Sequence, residues 1–186
     1  MYQGAAPSSR GRVGARITAA FANGSRADPR LAQYFNAKQT DIAATRLAPD
    51  FTQPLVTANE NLLIWSEAAY RTGNEGVALA ELNAERALAG LTPVAAAGQS
   101  LLAEILTEKY VADFQTIEAW NDYKRTCTPN LAPVVANRKI PARFFYDASE
   151  RQTDSNIPLP TQQPARNAND PANAVSDATG QACLGQ

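Results

Sequence analysis

Between residues 57 and 126 the apolar positions follow a helical period, and elsewhere they do not. Leu102, Leu106 and Tyr110 recur at i and i+4, with Leu101, Ile105 and Phe114 beside them. That spacing predicts a long amphipathic helix starting near Ser100. Two shorter helices precede it. Thr57-Ala58-Asn59-Glu60 fits a capping box, with Thr57 accepting from the Glu60 amide and Glu60 reaching back. Leu62, Ile64, Trp65, Ala68 and Ala69 then give an apolar face out to Tyr70. Gly73-Asn74 ends this helix and caps the next, because Gly tolerates a left-handed C′ position and Asn is a good N-cap. The second helix spans residues 75–89, with Val77, Ala78, Leu82 and the stretch from Ala84 to Leu88 as its apolar part. A link this short makes the pair an antiparallel hairpin.

The flanks carry no such period. Residues 1–27 are rich in Gly, Ser, Arg and Ala and read as loop, with one helical turn around residues 17–21. Asp28-Pro29-Arg30-Leu31 is a turn signal, and Gln33-Tyr34-Phe35 reads as a short extended stretch. Residues 36–56, interrupted by Pro49 and Pro54, read as connector. A break near residues 115–117 separates the long helix from last turns over 118–125. From Asp147 onward the chain is Asn, Asp, Gln, Pro and Ala, too poor in large apolar residues to fold alone. It wraps the helices or is disordered. The expected architecture is all-α, in three parts: an irregular segment 1–56, a helical domain 57–146 and a tail 147–186. Tyr70, Gly73 and Ala78 resemble the pattern of a tetratricopeptide unit, which needs neighbours to bury its remaining face.

Charge and composition narrow the function classes. The net charge of -1 argues against a bulk electrostatic grip on nucleic acid or anionic lipid. Seven basic residues face three acidic ones in residues 1–58, but they are scattered among Gly, Ser and Ala, as in a solvated segment. The absence of His removes Ser-His and Cys-His pairs and the commonest metal ligand. No metal or cofactor is expected, and no run approaches the roughly 18 apolar residues of a membrane span.

The densest candidate cluster is Trp120, Asp122, Tyr123, Lys124 and Arg125, followed by Lys139–Glu150 with Arg143 and three consecutive aromatics ending at Tyr146. Trp120 beside Tyr123 on a helix reads as core packing rather than a sugar platform. Asp122 and Arg125, one turn apart, bond each other or the 139–150 segment. Arg143 with Glu150 fixes that segment on the helices. Glu104 and Glu108 share a helix face and read as solvated, not as an acid/base pair. The exposure of Trp65 is open. Cys127 and Cys183, 56 residues apart, do not form a metal motif. They are bridged, pinning the tail to the end of the key helix, or are two unrelated thiols.

Four stretches together resemble a known family. Glu118-Ala119-Trp120-Asn121-Asp122-Tyr123-Lys124-Arg125-Thr126, preceded by Ile105–Ala112, resembles the C-terminal signature of the SusD/RagB family. Asp28–Leu31, the helix pair ending Leu82-Asn83-Ala84-Glu85-Arg86-Ala87-Leu88-Ala89-Gly90-Leu91, and Ile140–Tyr146 with Glu150 and Asn156 agree in order and spacing. Asp147 stands where the family usually has Pro, and Cys127 where Gly is common. Members are longer and begin with a lipoprotein signal, whereas the start of this chain has no central apolar block and no lipid-acceptor Cys. The chain thus reads as the C-terminal part of a SusD-like protein.

The resemblance implies non-catalytic binding at the bacterial outer-membrane surface. SusD-like proteins are lipid-anchored, cap a TonB-dependent transporter and hand it oligosaccharides or other nutrients. The family's ligand residues lie mostly outside the shared stretch, so none is carried over. The other expectation is a helical interaction or scaffold module within a larger assembly, with no glycan binding.

Overall fold

The computed structural model describes residues 28–37, 41–129, 146 and 148–157. Among these the chain is all-α, with no strand and one isolated bridge, Phe35 to Ile42. It divides into two compact units, Met1–Ala119 and Trp120–Gln186. Among the described residues no helix is long and apolar enough to cross a membrane.

In the first unit, helix α1 (Arg30–Tyr34) replaces the expected turn and extended stretch. Asp28 explains the difference: its Oδ1 accepts from the Arg30 amide at 2.9 Å, and its carbonyl accepts from the Leu31 amide. Pro29, with φ -63°, is preset for a helix start. A short 3-10 turn, Ala44–Arg46, follows in the connector.

Helix α2 (Ala58–Arg71) opens where Thr57 accepts from the Glu60 amide at 3.0 Å. The reciprocal half of the capping box does not form, and the Glu60 carboxylate lines a cavity instead. Gly73 takes φ +83°, and Asn74 accepts from the Val77 amide to start α3 (Glu75–Leu88). Asn59 bonds Glu85 and Ser66 bonds the Ala78 carbonyl, so partner numbers fall on one helix as they rise on the other. The hairpin is antiparallel. The loop after α3 is tied back to it by two Asn83–Val94 bonds of 3.1 and 2.8 Å.

Helix α4 (Gly98–Ala112) starts two residues before Ser100. Its first amide is capped from α3, by Glu75 Oε2 on Gly98 N at 2.9 Å. The break after it covers residues 113–116, with Gln115 at φ +69°. Leu63, Ala69, Ala78, Leu82, Leu101 and Ile105 form the main apolar core among α2, α3 and α4. Each fully buried Leu or Ile there contributes about 1.5–3 kcal/mol. A second cluster of Tyr34, Phe35 and Val111 is closed by Phe114, stacked on Tyr34 at 4.7 Å between ring centroids.

The buried faces differ from those expected. On α2, Leu63, Ser66, Glu67 and Ala69 are buried, while Ile64 and Trp65 are about half exposed. On α3, Glu85 and Arg86 are buried and Leu88 is exposed. Charged residues hold these positions because each meets a partner inside the unit, which removes most of the cost of leaving water.

The second unit contains most of α5 (Ile117–Thr126) and α6 (Ala148–Thr153). The latter falls in the tail expected to wrap the helices or be disordered. The segments 1–27, 130–145 and 158–186 lie outside the described residues.

Candidate functional site

Five ionic side chains from three places in the sequence meet inside the first unit. Arg30 donates from Nη2 to Asp28 Oδ2 and to Glu108 Oε2, both at 2.7 Å, and approaches Glu85 Oε1 at 3.4 Å from Nη1. Arg86 donates from Nη1 to the other oxygen of Glu108, and from Nε and Nη2 to the Thr92 carbonyl. Glu108 thus bridges two guanidiniums. Asn59 Nδ2 donates to Glu85 Oε1 at 2.9 Å. All five ionic residues are at most 5% exposed.

Burial alone would lower the Arg30 guanidinium, but the Asp28 and Glu108 carboxylates hold it above its ordinary value. Glu85 behaves differently. Burial pushes its carboxyl above the usual carboxylate range, against the Asn59 bond, and the Glu108 charge adds to the rise. Its Oε2 is buried without a hydrogen-bond partner. Three carboxylates against two guanidiniums also leave the five groups with one excess negative charge when all are ionised.

A cavity of about 220 Å³ adjoins this network, with Glu85, Arg30, Tyr34, Arg46 and Asn59 among its walls. Arg46 lies over the Tyr34 ring at 4.5 Å and within 5.4 and 5.6 Å of Phe51 and Phe114. It donates to the Gln33 carbonyl at 3.1 Å and to Gln115 Oε1 at 2.8 Å. Burial lowers the Arg46 guanidinium and raises the Tyr34 phenol. This arrangement can bind a small polar molecule with an apolar side facing Leu55, Leu88 and Phe114.

The cluster singled out in the sequence lies in α5. Trp120 is partly buried, with Lys124 Nζ at 4.9 Å from its ring centre, and Tyr123 is buried, which raises its phenol. Arg125 and Asp122 pair at 2.8 Å. Cys127 is disulfide-bonded, and the sequence's other cysteine, Cys183, lies outside the described residues. Tyr146 and Glu150 are exposed, and Arg143 lies outside the described residues.

Glu108 corrects the sequence reading. Expected on a solvated face, it is 4% exposed and holds Arg30 and Arg86. Sequence reasoning also missed Asp28, Arg30, Glu85 and Arg86 as a set. Their signal was available: each lies in a stretch that carries the family resemblance. Glu67, buried on α2, bonds the exposed Arg71 at 2.6 Å and the buried Lys109 of α4 at 3.5 Å.

Comparison of the chain with protein-family models, with curated proteins and with solved structures finds no match.

Proposed function

We propose that this chain is a non-catalytic nutrient-binding protein of SusD type, working at the bacterial outer-membrane surface. Its ligand is an oligosaccharide, which it passes to a TonB-dependent transporter. One observation carries this reading. Asp28 and Arg30, Glu85 and Arg86, and Glu108 come from three separate stretches of the resemblance and meet in a single ion-pair network. Motifs matched by chance would have no reason to be neighbours in space. The α2–α3 hairpin, with Gly73 at its turn, is the tetratricopeptide-like unit in this reading.

Sugar rings are recognised by an aromatic face for their C–H side and polar groups for their hydroxyls. Trp65, 53% exposed, offers such a face on α2. The chain has two tryptophans, so fluorescence reports on few sites. Titration of the full chain with a panel of oligosaccharides should give saturable quenching that Trp65→Ala abolishes. The sugars should be recovered uncleaved. Absence of binding across the panel by folded protein would reject the glycan role, and cleavage would reject the non-catalytic one.

A second reading, a helical module that docks on another protein, rests on the same surface. Leu55, Val56, Ile64, Trp65 and Leu88 are all exposed large apolar residues. Such residues mark interaction surfaces when they form one patch. Loss of a protein partner on Trp65→Ser, with no glycan affinity in the parent chain, would favour it.

A further inference from the structure

The cavity beside the ion-pair network is bordered by polar groups with bonding capacity left over. Arg46 donates from Nε and Nη1 to the Gln33 carbonyl and to Gln115 Oε1, and among the described residues its Nη2 donates to nothing. The Tyr34 hydroxyl, on a residue 6% exposed, makes no hydrogen bond among them either. The Glu60 amide is used by the Thr57 cap, but the Glu60 carboxylate lines the space and pairs with no cation among the described residues. The Gln53 amide borders the same volume, and Leu55 and Leu88, both exposed, give it an apolar side. Trp65 is not among the walls.

Charge and size select the ligand. Arg30, Glu85 and Asp113 also line the cavity, but each is at most 5% exposed, and Arg30 and Glu85 are bonded to each other. The charges an incoming molecule meets are therefore those of Arg46 and Glu60. A simple anion gains Arg46 and is repelled by Glu60, and a simple cation meets the reverse, so neither sign is favoured. A hydroxyl group both donates and accepts. A compound with hydroxyls on neighbouring carbons can donate to Glu60 and accept from Arg46 Nη2, both charge-assisted bonds, without a net charge to be repelled. The volume of about 220 Å³ equals about seven waters at roughly 30 Å³ each. It lies below the roughly 300–1,000 Å³ of pockets for drug-sized ligands, which leaves room for one sugar ring and not for a chain of them.

We propose that this cavity holds a single neutral sugar ring, either the end residue of an oligosaccharide or a free monosaccharide. Ring hydroxyls bond Arg46, Glu60 and the Tyr34 hydroxyl, and the C–H side of the ring lies on Leu55 and Leu88. The site rests on the nutrient-binding reading and adds to it a point of contact other than Trp65.

The test is calorimetric titration of the full chain with glucose and xylose, with maltotriose and xylotriose, and with propionate and ethylamine. At least one sugar should saturate by about 10 mM, and the two ions should bind at least about tenfold more weakly than it does. Tyr34→Phe, which keeps the ring and its packing, should weaken that sugar about fivefold, and Glu60→Gln, which keeps the amide used by Thr57, about tenfold. Circular dichroism melts of both variants confirm that they are folded. A monosaccharide that binds as tightly as its trisaccharide identifies a free sugar as the ligand. A tighter trisaccharide with the same losses in both variants identifies a chain end. Sugar binding that either folded variant leaves unchanged overturns this site and leaves the nutrient reading standing. Failure of all four sugars to saturate overturns the site as well, and so does propionate or ethylamine binding as tightly as the best sugar.

Discussion

Replacing Glu108 with Gln should be among the most damaging single changes in the helical unit, although it preserves shape. The carboxylate is 4% exposed and bridges Arg30 Nη2, at 2.7 Å, and Arg86 Nη1. Gln keeps the volume and one acceptor but loses the charge, and its amide hydrogens point at guanidinium donors. Two buried guanidiniums then share Asp28, Glu85 and the Thr92 carbonyl. Breaking a buried ion pair by removing one partner costs about 3–5 kcal/mol. That is a large part of a typical stability of about 5–15 kcal/mol. At roughly 4 °C per kcal/mol for a unit of this size, the melting temperature should fall by roughly 12–20 °C. Thermal melts followed at 222 nm and urea unfolding at pH 7 measure it. Added salt should barely reduce the difference, because a buried pair is poorly screened. Asp50→Asn, at an exposed position, is the control and should stay within about 0.5 kcal/mol of the parent. A Glu108→Gln loss below about 1 kcal/mol would refute the bridging role, since it would match an exposed ion pair instead.

Three further outcomes follow from the same geometry. Burial holds the Glu85 carboxyl above its usual range, so the folded state binds this proton more tightly than the unfolded chain. Its stabilising contribution is full below the unfolded pKa and is lost as pH rises through the folded one. Glu85→Gln, which cannot ionise, should therefore gain melting temperature relative to the parent between about pH 4 and pH 7, and the opposite slope would contradict the assignment. Gly73→Ala places a Cβ at φ +83° where nothing lies within 4 Å, so its cost is backbone strain alone, about 1–2 kcal/mol by urea unfolding. Trp65→Ser should leave stability within about 0.5 kcal/mol, while any self-association seen by sedimentation velocity decreases.

What could be read from the sequence was local. Thr57, Gly73 and Asn74 act on amides or dihedrals within a few residues of themselves, so helix starts and stops were visible without knowledge of the fold. The apolar period over residues 100–114 was equally plain, and the break expected near residues 115–117 falls at 113–116. What could not be read was which charges go inside. Periodicity assigns every Glu and Arg to water, and that rule placed Glu108 on a solvated face. Its partners stand 22 and 78 residues away in the chain, at Arg86 and Arg30. The same limit explains Trp65 and Ile64. On α2 the inward positions went to Ser66 and Glu67, because the Ala78 carbonyl and Lys109 were waiting for them. A large apolar residue was displaced outward by a polar one with a partner. The cavity was invisible for a related reason, since its walls include Tyr34, Arg46 and Glu85, brought together only by the packing of α1, the 3-10 turn and the hairpin.

In the proposed reading the protein sits at the outer-membrane surface beside a transporter, and cross-linking in intact cell envelopes tests that placement. With the protein at its native level, its principal cross-linked partner should be a TonB-dependent β-barrel transporter, and the pair should persist in detergent. Recovery of the protein cross-linked only to itself or to proteins outside that membrane would contradict the proposed placement.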